Sequence, residues 1–233
     1  MKTVILLRDE LLNAVTEEIC RFIREKPDAV MTMAAGRTMF PVWESLALAV
    51  RAGKLSLKNV RFFQTAEFIG ARRENSLRGL VEDRLFPTTD FEPANCSWFE
   101  DFETVDDCEN AIREAGGLDL AVLGIGVNAH IGLNEPGTQF QTCCRVQKLT
   151  NSTKNQYTWL FGGPEKVPEK ACTMGIQTLL GARKILLASL GAEKAKATFD
   201  MLYARNDSVV PAAFLQLHRD VTVYADPEAG EQL

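Results

Sequence analysis

The chain has 233 residues, of which 46% are hydrophobic and 24% charged, and it carries a net charge of −5. This length and composition suit a globular protein with a full buried core. The acidic balance excludes a nucleic-acid partner and an anionic membrane surface, so any anionic ligand needs a pocket of locally positive charge.

The six cysteines form no C-x-x-C pair, and only two histidines are present, which excludes a Cys/His zinc site. We expect free thiols, no metal and no organic cofactor. The opening MKTVILLRDELL has too short an apolar run for a signal peptide, and no stretch approaches the ~20 apolar residues of a spanning helix. A cytoplasmic protein without membrane attachment is expected.

In chain order, Val4 to Leu7 reads as a strand, and residues 9–26 place Leu11, Leu12, Val15, Ile19, Phe22 and Ile23 at helical spacing. Ala29 to Ala34 predicts a buried strand, followed by a glycine turn and a helix through about Ala49. Val60 to Thr65 is the next strand, 76–86 a helix, Ser97 to Glu100 a short strand, and 104–115 a helix. Asp119 to Leu123 is apolar enough for a central strand. Residues 134–170 read as irregular, with local structure or a lid; Ile185 to Ser189 and Val221 to Tyr224 are strands flanking a helix over 192–203. This alternation predicts one α/β domain over residues 1–233, a mainly parallel sheet with helices on both faces in the Rossmann-like manner.

Such sheets bind ligands at the carboxyl ends of their strands. Ala35-Gly36-Arg37-Thr38 follows one strand and precedes a helix. It reads either as an anion-binding turn, with Arg37 and the Thr38 hydroxyl adding contacts, or as a plain turn with a threonine cap. Gly191-Ala-Glu-Lys194 opens the helix after strand 185–189. A lysine there opposes the helix dipole unless an anion is bound, the alternative being a solvated surface lysine. The third segment runs from Asp119 through Gly124, Gly126, Asn128 and His130 to Asn134 and Glu135. Glycines that admit a ligand to the backbone are followed by the one side chain here that titrates near neutrality, with a carboxylate five residues on. A lone histidine in a loop is ordinarily structural, but that density of polar groups at a strand end favours a functional reading.

LDLAVLGIGVNAHIGLNEPG closely resembles the signature of glucosamine-6-phosphate deaminases and the related galactosamine-6-phosphate isomerases. Further ordered segments carry the likeness along nearly the whole chain: Gly36 to Thr38, FFQTAEFIG with ENSLRGL, CTMGIQTLL, Gly191 with Lys194, and VPAAFLQLH. The NEPG end separates the group from the related 6-phosphogluconolactonases. The resemblance implies conversion of a 2-amino-2-deoxyhexose 6-phosphate and water into a ketohexose 6-phosphate and ammonia, without cofactor. It makes His130 the group that opens the pyranose ring, with Asn128 and Glu135 in its relay, and it assigns Gly36, Arg37, Thr38, Gly126 and Lys194 to substrate binding. Its partner is a small-molecule phosphosugar, and homo-oligomerisation is left open.

Four departures from the family pattern stand out. The Asp-Glu pair whose aspartate removes the C2 proton reads Ala66-Glu67 here, and Glu67 replaces that base only if the strand end twists or bulges, since neighbours on a strand point to opposite faces. Asn128 stands where the glucosamine enzymes carry aspartate and the galactosamine relatives asparagine. Within 150–160, Trp159 falls near the place of a phosphate-binding arginine, for which Arg37 compensates; of the basic pair that binds an allosteric effector, Arg145 matches one member and Gln147 stands at the other. Two other readings fit these departures: a non-catalytic sugar-phosphate sensor, and a lactone hydrolase that needs no C2 base.

Overall fold

The computed structural model describes residues 1–233. β1 (Lys2–Ile5) leads into α1 (Arg8–Glu25), and β2 (Val30–Met33) leads through a 3₁₀ turn into α2 (Phe40–Arg51). β3 (Arg61–Phe63) and β4 (Ala66–Phe68) precede α3 (Leu77–Arg84), and β5 (Cys96–Ser97) precedes α4 (Val105–Glu114). β6 (Leu120–Gly124) is followed by a long loop, β7 (Arg145–Lys148), α5 (Asn151–Gln156), α6 (Thr158–Phe161), β8 (Lys170–Thr173) and α7 (Ile176–Leu180). β9 (Lys184–Ser189), α8 (Ala195–Tyr203) and β10 (Val221–Ala225) complete the chain.

Seven strands form one parallel sheet in the order β1-β10-β9-β6-β2-β3-β5. Its central strands are buried on both sides, and alternate residues feed two cores. Met31, Met33, Leu120, Val122 and Leu186 pack with Leu11, Val15 and Ile19 of α1, Val42 and Leu46 of α2, and Leu80 of α3. Ala121, Leu123, Ile185, Leu187 and Val223 face the other way, onto Ile112 of α4, Leu179 of α7 and Met201 of α8. Such double burial is why these strands read as unbroken apolar runs. No helix is long and apolar enough to cross a membrane.

The chain runs outward from β2 to β3 and β5, then returns to the opposite side of β2 as β6 and continues to β9 and β10. The direction of winding therefore reverses between β2 and β6. The loops leaving those two strands diverge there and open a crevice at their carboxyl ends.

Three strands lie outside the main sheet. β4, β8 and β7 form a separate antiparallel sheet, with Ala66 opposite Thr173 and Val146 opposite Cys172. The segment expected to be irregular, 134–170, thus contains β7, α5 and α6. The expected strand Ser97 to Glu100 is shorter, because Trp98 is followed by a 3₁₀ turn over Phe99–Asp101 with the Asp101 carboxylate accepting from the Trp98 N–H.

Candidate active site

The crevice holds a cavity of about 1020 Å³. The Gly36–Thr38 turn, the Gln64–Ala66 strand end, the Gly124–His130 loop, α5 and α6, and Gly191–Lys194 all contribute to its wall. Segments far apart in sequence, each singled out by its chemistry, therefore face one space.

His130 is buried, with its position set by a tight loop after β6: the His130 carbonyl accepts from the Gly126 N–H at 2.9 Å, and Ala129 sits at φ 61°. A left-handed alanine is strained, which a loop tolerates where the surrounding contacts over-determine it. The imidazole lies over Gly126, where a Cβ would meet the ring at 2.4 Å. Gly126→Ala is therefore expected to displace the imidazole and abolish turnover, which loss of ammonia release from glucosamine 6-phosphate would check.

The hydrogen bonds around His130 fix its tautomer. The Glu135 carboxylate, which only accepts, takes the Thr150 N–H at 2.9 Å, the Thr150 hydroxyl at 3.1 Å and the Asn128 Nδ2 at 2.8 Å. Asn128 must then present its carbonyl to His130, and its Oδ1 lies 2.8 Å from Nδ1. Nδ1 carries the proton, donating to Asn128 Oδ1 and to the Thr153 hydroxyl at 3.2 Å, and Nε2 keeps its lone pair. Burial pushes the imidazole down to about 4; the Glu135 charge pulls it back up and the Lys194 charge pushes it further down. At neutral pH the ring is an uncharged base. Asn128 thus bridges Glu135 and His130 in this relay.

Lys194 is 4% exposed and forms no ion pair. Burial lowers its ammonium to about 8, with the nearby Arg37 charge acting in the same direction and Glu193 against it. Arg37 is exposed and lies with its guanidinium 5.7 Å from the Trp159 ring centroid. The Thr38 hydroxyl caps no helix, since the helix starting at Phe40 has no side-chain cap, so the plain-turn reading of Gly36–Thr38 loses its main support. Gly191, at φ 92°, needs glycine's freedom, and its N–H is held by both Asp226 carboxylate oxygens at 2.9 and 3.1 Å. Two cations and a backbone turn thus line one cavity, an arrangement able to hold an anion.

Glu67 is the correction. The Ala66 methyl lines the cavity, whereas the Glu67 side chain turns to the other face of β4. Its carboxylate accepts from the Leu77 and Arg78 N–H groups at 3.0 and 2.8 Å, from Phe68 N–H at 2.7 Å and from Gln64 Nε2 at 2.7 Å. It is the acceptor for the first turn of α3, where unpaired N–H groups and the helix dipole favour a carboxylate. Burial raises its carboxyl, and these four donors oppose the rise. Nothing at this strand end twists to bring Glu67 to the cavity, so it is not the base.

Tyr157 was not anticipated from sequence. It is buried edge-on against Phe68 at 4.9 Å, and its hydroxyl lies 4.0 Å from where a Gly36 side chain would begin, beside the anion turn. Burial drives its phenol far above the usual range, so it acts only as a neutral hydrogen-bonding group. Arg145, matched to the effector pair, instead donates to Asn134 Oδ1 at 2.6 Å, to the Thr138 hydroxyl at 2.8 Å and to Gln147 Oε1 at 2.6 Å.

Residues 5–224 match the family described as glucosamine-6-phosphate isomerases/6-phosphogluconolactonase. The chain is 36% identical to a glucosamine-6-phosphate deaminase of Colwellia psychrerythraea over 96% of its length and 87% of that protein. It is 34% identical to glucosamine-6-phosphate deaminase 2 of Giardia intestinalis, over 94% of this chain and 86% of that one. A solved monomeric glucosamine-6-phosphate deaminase superposes with a TM-score of 0.95 at 33% identity, covering 100% of both chains. A 6-phosphogluconolactonase from Thermotoga maritima shares the fold with a TM-score of 0.73 at 23% identity, over 97% of this chain and 99% of that one.

Proposed function

The chain belongs to the glucosamine-6-phosphate isomerase/6-phosphogluconolactonase family, and on that premise we propose that it is a cytoplasmic hexosamine-6-phosphate isomerase/deaminase acting as one domain over residues 1–233. Its substrate is glucosamine or galactosamine 6-phosphate, and its products are a ketohexose 6-phosphate and ammonia. The observation that carries the reading is the shared cavity: an anion grip of Gly36, Arg37, Thr38 and Lys194 at one end, and a neutral imidazole held by Asn128 and Glu135 facing the same space. The grip takes the phosphate, and His130 Nε2 takes a hydroxyl proton and returns it to the ring oxygen. Imidazolium formed on the way is stabilised by the Glu135 charge relayed through Asn128.

Release of ammonia from each of the two phosphosugars tests the proposal. Turnover is expected with at least one of them, slowly, because Ala66 leaves the C2 proton without its usual acceptor. Ala66 also favours a second reading, a sensor that binds the phosphosugar without converting it. Ligand-induced thermal stabilisation with no ammonia at high enzyme concentration would select that reading.

The affinity of the grip should pass through a maximum with pH. A phosphate ester takes its second charge near pH 6, roughly the value for phosphorylated side chains. Lys194 loses its proton as pH rises through about 8, which removes a charge-assisted contact and weakens binding. Tightest binding is therefore expected between these values, with an acid limb due to the ligand, since His130 does not charge until pH falls to about 4. Calorimetric titration across pH is the check, and replacing the phosphate by a sulfate ester should remove the acid limb alone.

A further inference from the structure

We propose that the Ala66 side of this cavity is built for a neutral, acylated amine, so that an N-acylated hexosamine 6-phosphate occupies it in preference to the free amino sugar and competes with it. The proposal rests on the phosphosugar reading above and adds to it the chemical class of ligand that the site selects.

The reason is what the Gln64–Ala66 wall presents, where that reading sets C2 of the sugar. Ala66 contributes a methyl group, and Phe62 of β3 and Leu77 and Val81 of α3 also reach the cavity. Leu77 and Val81 lie one turn apart and share a face of α3. All four side chains are buried in a single cluster, and the recess they bound offers only carbon. Gln64 has both ends of its amide taken, Nε2 by Glu67 at 2.7 Å and Oε1 by the Phe99 N–H at 3.1 Å.

Thr65 is the polar group left on this wall. Its hydroxyl lies 2.7 Å from that of Thr32, and neither has another partner in the protein. Thr32 is fully buried off the cavity wall, so its proton can go only to the Thr65 oxygen. The Thr65 proton is then left for an acceptor on the ligand. No acid offsets this. Glu67 is turned onto α3, and Asp226 is committed to the N–H groups of Gly191 and Ala229. Glu193 adjoins Lys194, and Glu228 follows β10 at the rim.

The free amine of a hexosamine is largely an ammonium at neutral pH, as an α-amino group of pKa roughly 7.7–8.0 is. An ammonium only donates, and here it meets a donor proton, a carbon recess and the charges of Lys194 and Arg37 in the same cavity. An N-acyl amide is neutral. Its carbonyl accepts the Thr65 proton, and its alkyl end fills the recess. A C2 hydroxyl also satisfies Thr65 but leaves the recess empty. One methyl group in a hydrophobic pocket changes recognition by about 10- to 200-fold.

The test is calorimetric titration at neutral pH with the 6-phosphates of N-acetylglucosamine, glucosamine and glucose. The N-acetyl ligand is expected to bind at least about 10-fold tighter than either of the others. It should also raise KM for ammonia release from glucosamine 6-phosphate without lowering kcat. Its lead over glucosamine 6-phosphate should narrow between about pH 6.5 and 8.5, as the free amine discharges. Loss of the Lys194 proton weakens both ligands alike and cancels in that ratio. Ala66→Asp should invert the order of the acylated and free amines. Ala66→Val, which narrows the recess without adding charge, should remove the lead over glucose 6-phosphate, whose retained binding shows that the variant folds. An N-acetyl ligand that binds no tighter than glucosamine 6-phosphate, that activates instead of competing, or whose lead survives Ala66→Asp would overturn the selectivity and leave the phosphosugar reading standing. No binding by any of the three 6-phosphates would remove both.

Discussion

Ala66→Asp is expected to raise ammonia release by about 10²–10⁴, the contribution typical of a positioned general base. The Ala66 methyl is 4% exposed on the cavity wall, at a backbone position pinned opposite Thr173 in the small sheet, so a carboxylate introduced there points into the same space. Desolvation and the buried Glu67 carboxylate on the next residue would both raise its pKa, bringing a weak base closer to neutral pH. Ala66→Asn offers the same shape without basicity and should leave the rate where it was. The two variants together separate a restored proton acceptor from a change of packing. Equal rates for Asp and Asn would show that the C2 proton is not presented to this wall. The aspartate variant is also expected to melt lower than the asparagine variant, since it buries a charge with no cation assigned to it.

Much of the architecture was legible because burial on both faces leaves an unambiguous signal. β6, β9 and β10 are apolar runs of a length only a parallel interior strand explains, and α1 carries its core stripe at helical spacing. The small sheet was not legible. β4 has three residues, too few for any period to show, and β7 reads Arg-Val-Gln-Lys with its alternate residues exposed. β4 pairs with β8 more than 100 residues further along the chain, and β7 pairs with β8 across the intervening α5 and α6. The same blind spot hid Tyr157, which sits between two short helices in a polar stretch and owes its place to packing on Phe68.

Candidate residues followed the same rule. His130, Lys194 and the Gly36 turn could be read because they close buried strands, and in a parallel sheet the carboxyl ends of neighbouring strands must converge. Glu67 could not be resolved from sequence, because alternation alone leaves open which of two adjacent residues faces the cavity. The deciding fact is long-range in structure and short-range in chemistry: the first-turn N–H groups of α3 need an acceptor, and Glu67 supplies it. Asn128 was legible as a partner that holds the His130 ring, and the structure adds that its amide is itself fixed by Glu135.

Lys194→Met is expected to move stability and binding in opposite directions. With no ligand bound, the Lys194 ammonium is buried without an ion pair, and burial lowers it to about 8 despite the opposing Glu193 charge. The unfolded chain holds that proton more tightly than the folded one does, so folding opposes the charge throughout the range below about 8, and stability recovers only as pH rises from there toward the ordinary lysine value of 10.5. A methionine of similar length removes the charge and should make the empty protein more stable by about 1–3 kcal/mol at pH 7. The same change deletes a charge-assisted contact to the phosphate, for which about 1.5–3 kcal/mol, or roughly 10- to 100-fold in affinity, is expected. Added glucosamine 6-phosphate stabilises only the protein that binds it, so the two melting temperatures should converge or cross as ligand rises: the variant higher when empty, the wild type gaining with concentration. Above pH 8 the advantage of the empty variant should shrink as the wild-type lysine discharges. A variant that melts lower when empty, or that keeps wild-type affinity, would mean that Lys194 has an anionic partner other than the sugar phosphate. A buried cation without an ion pair on a cavity wall suits a pocket that takes an anion.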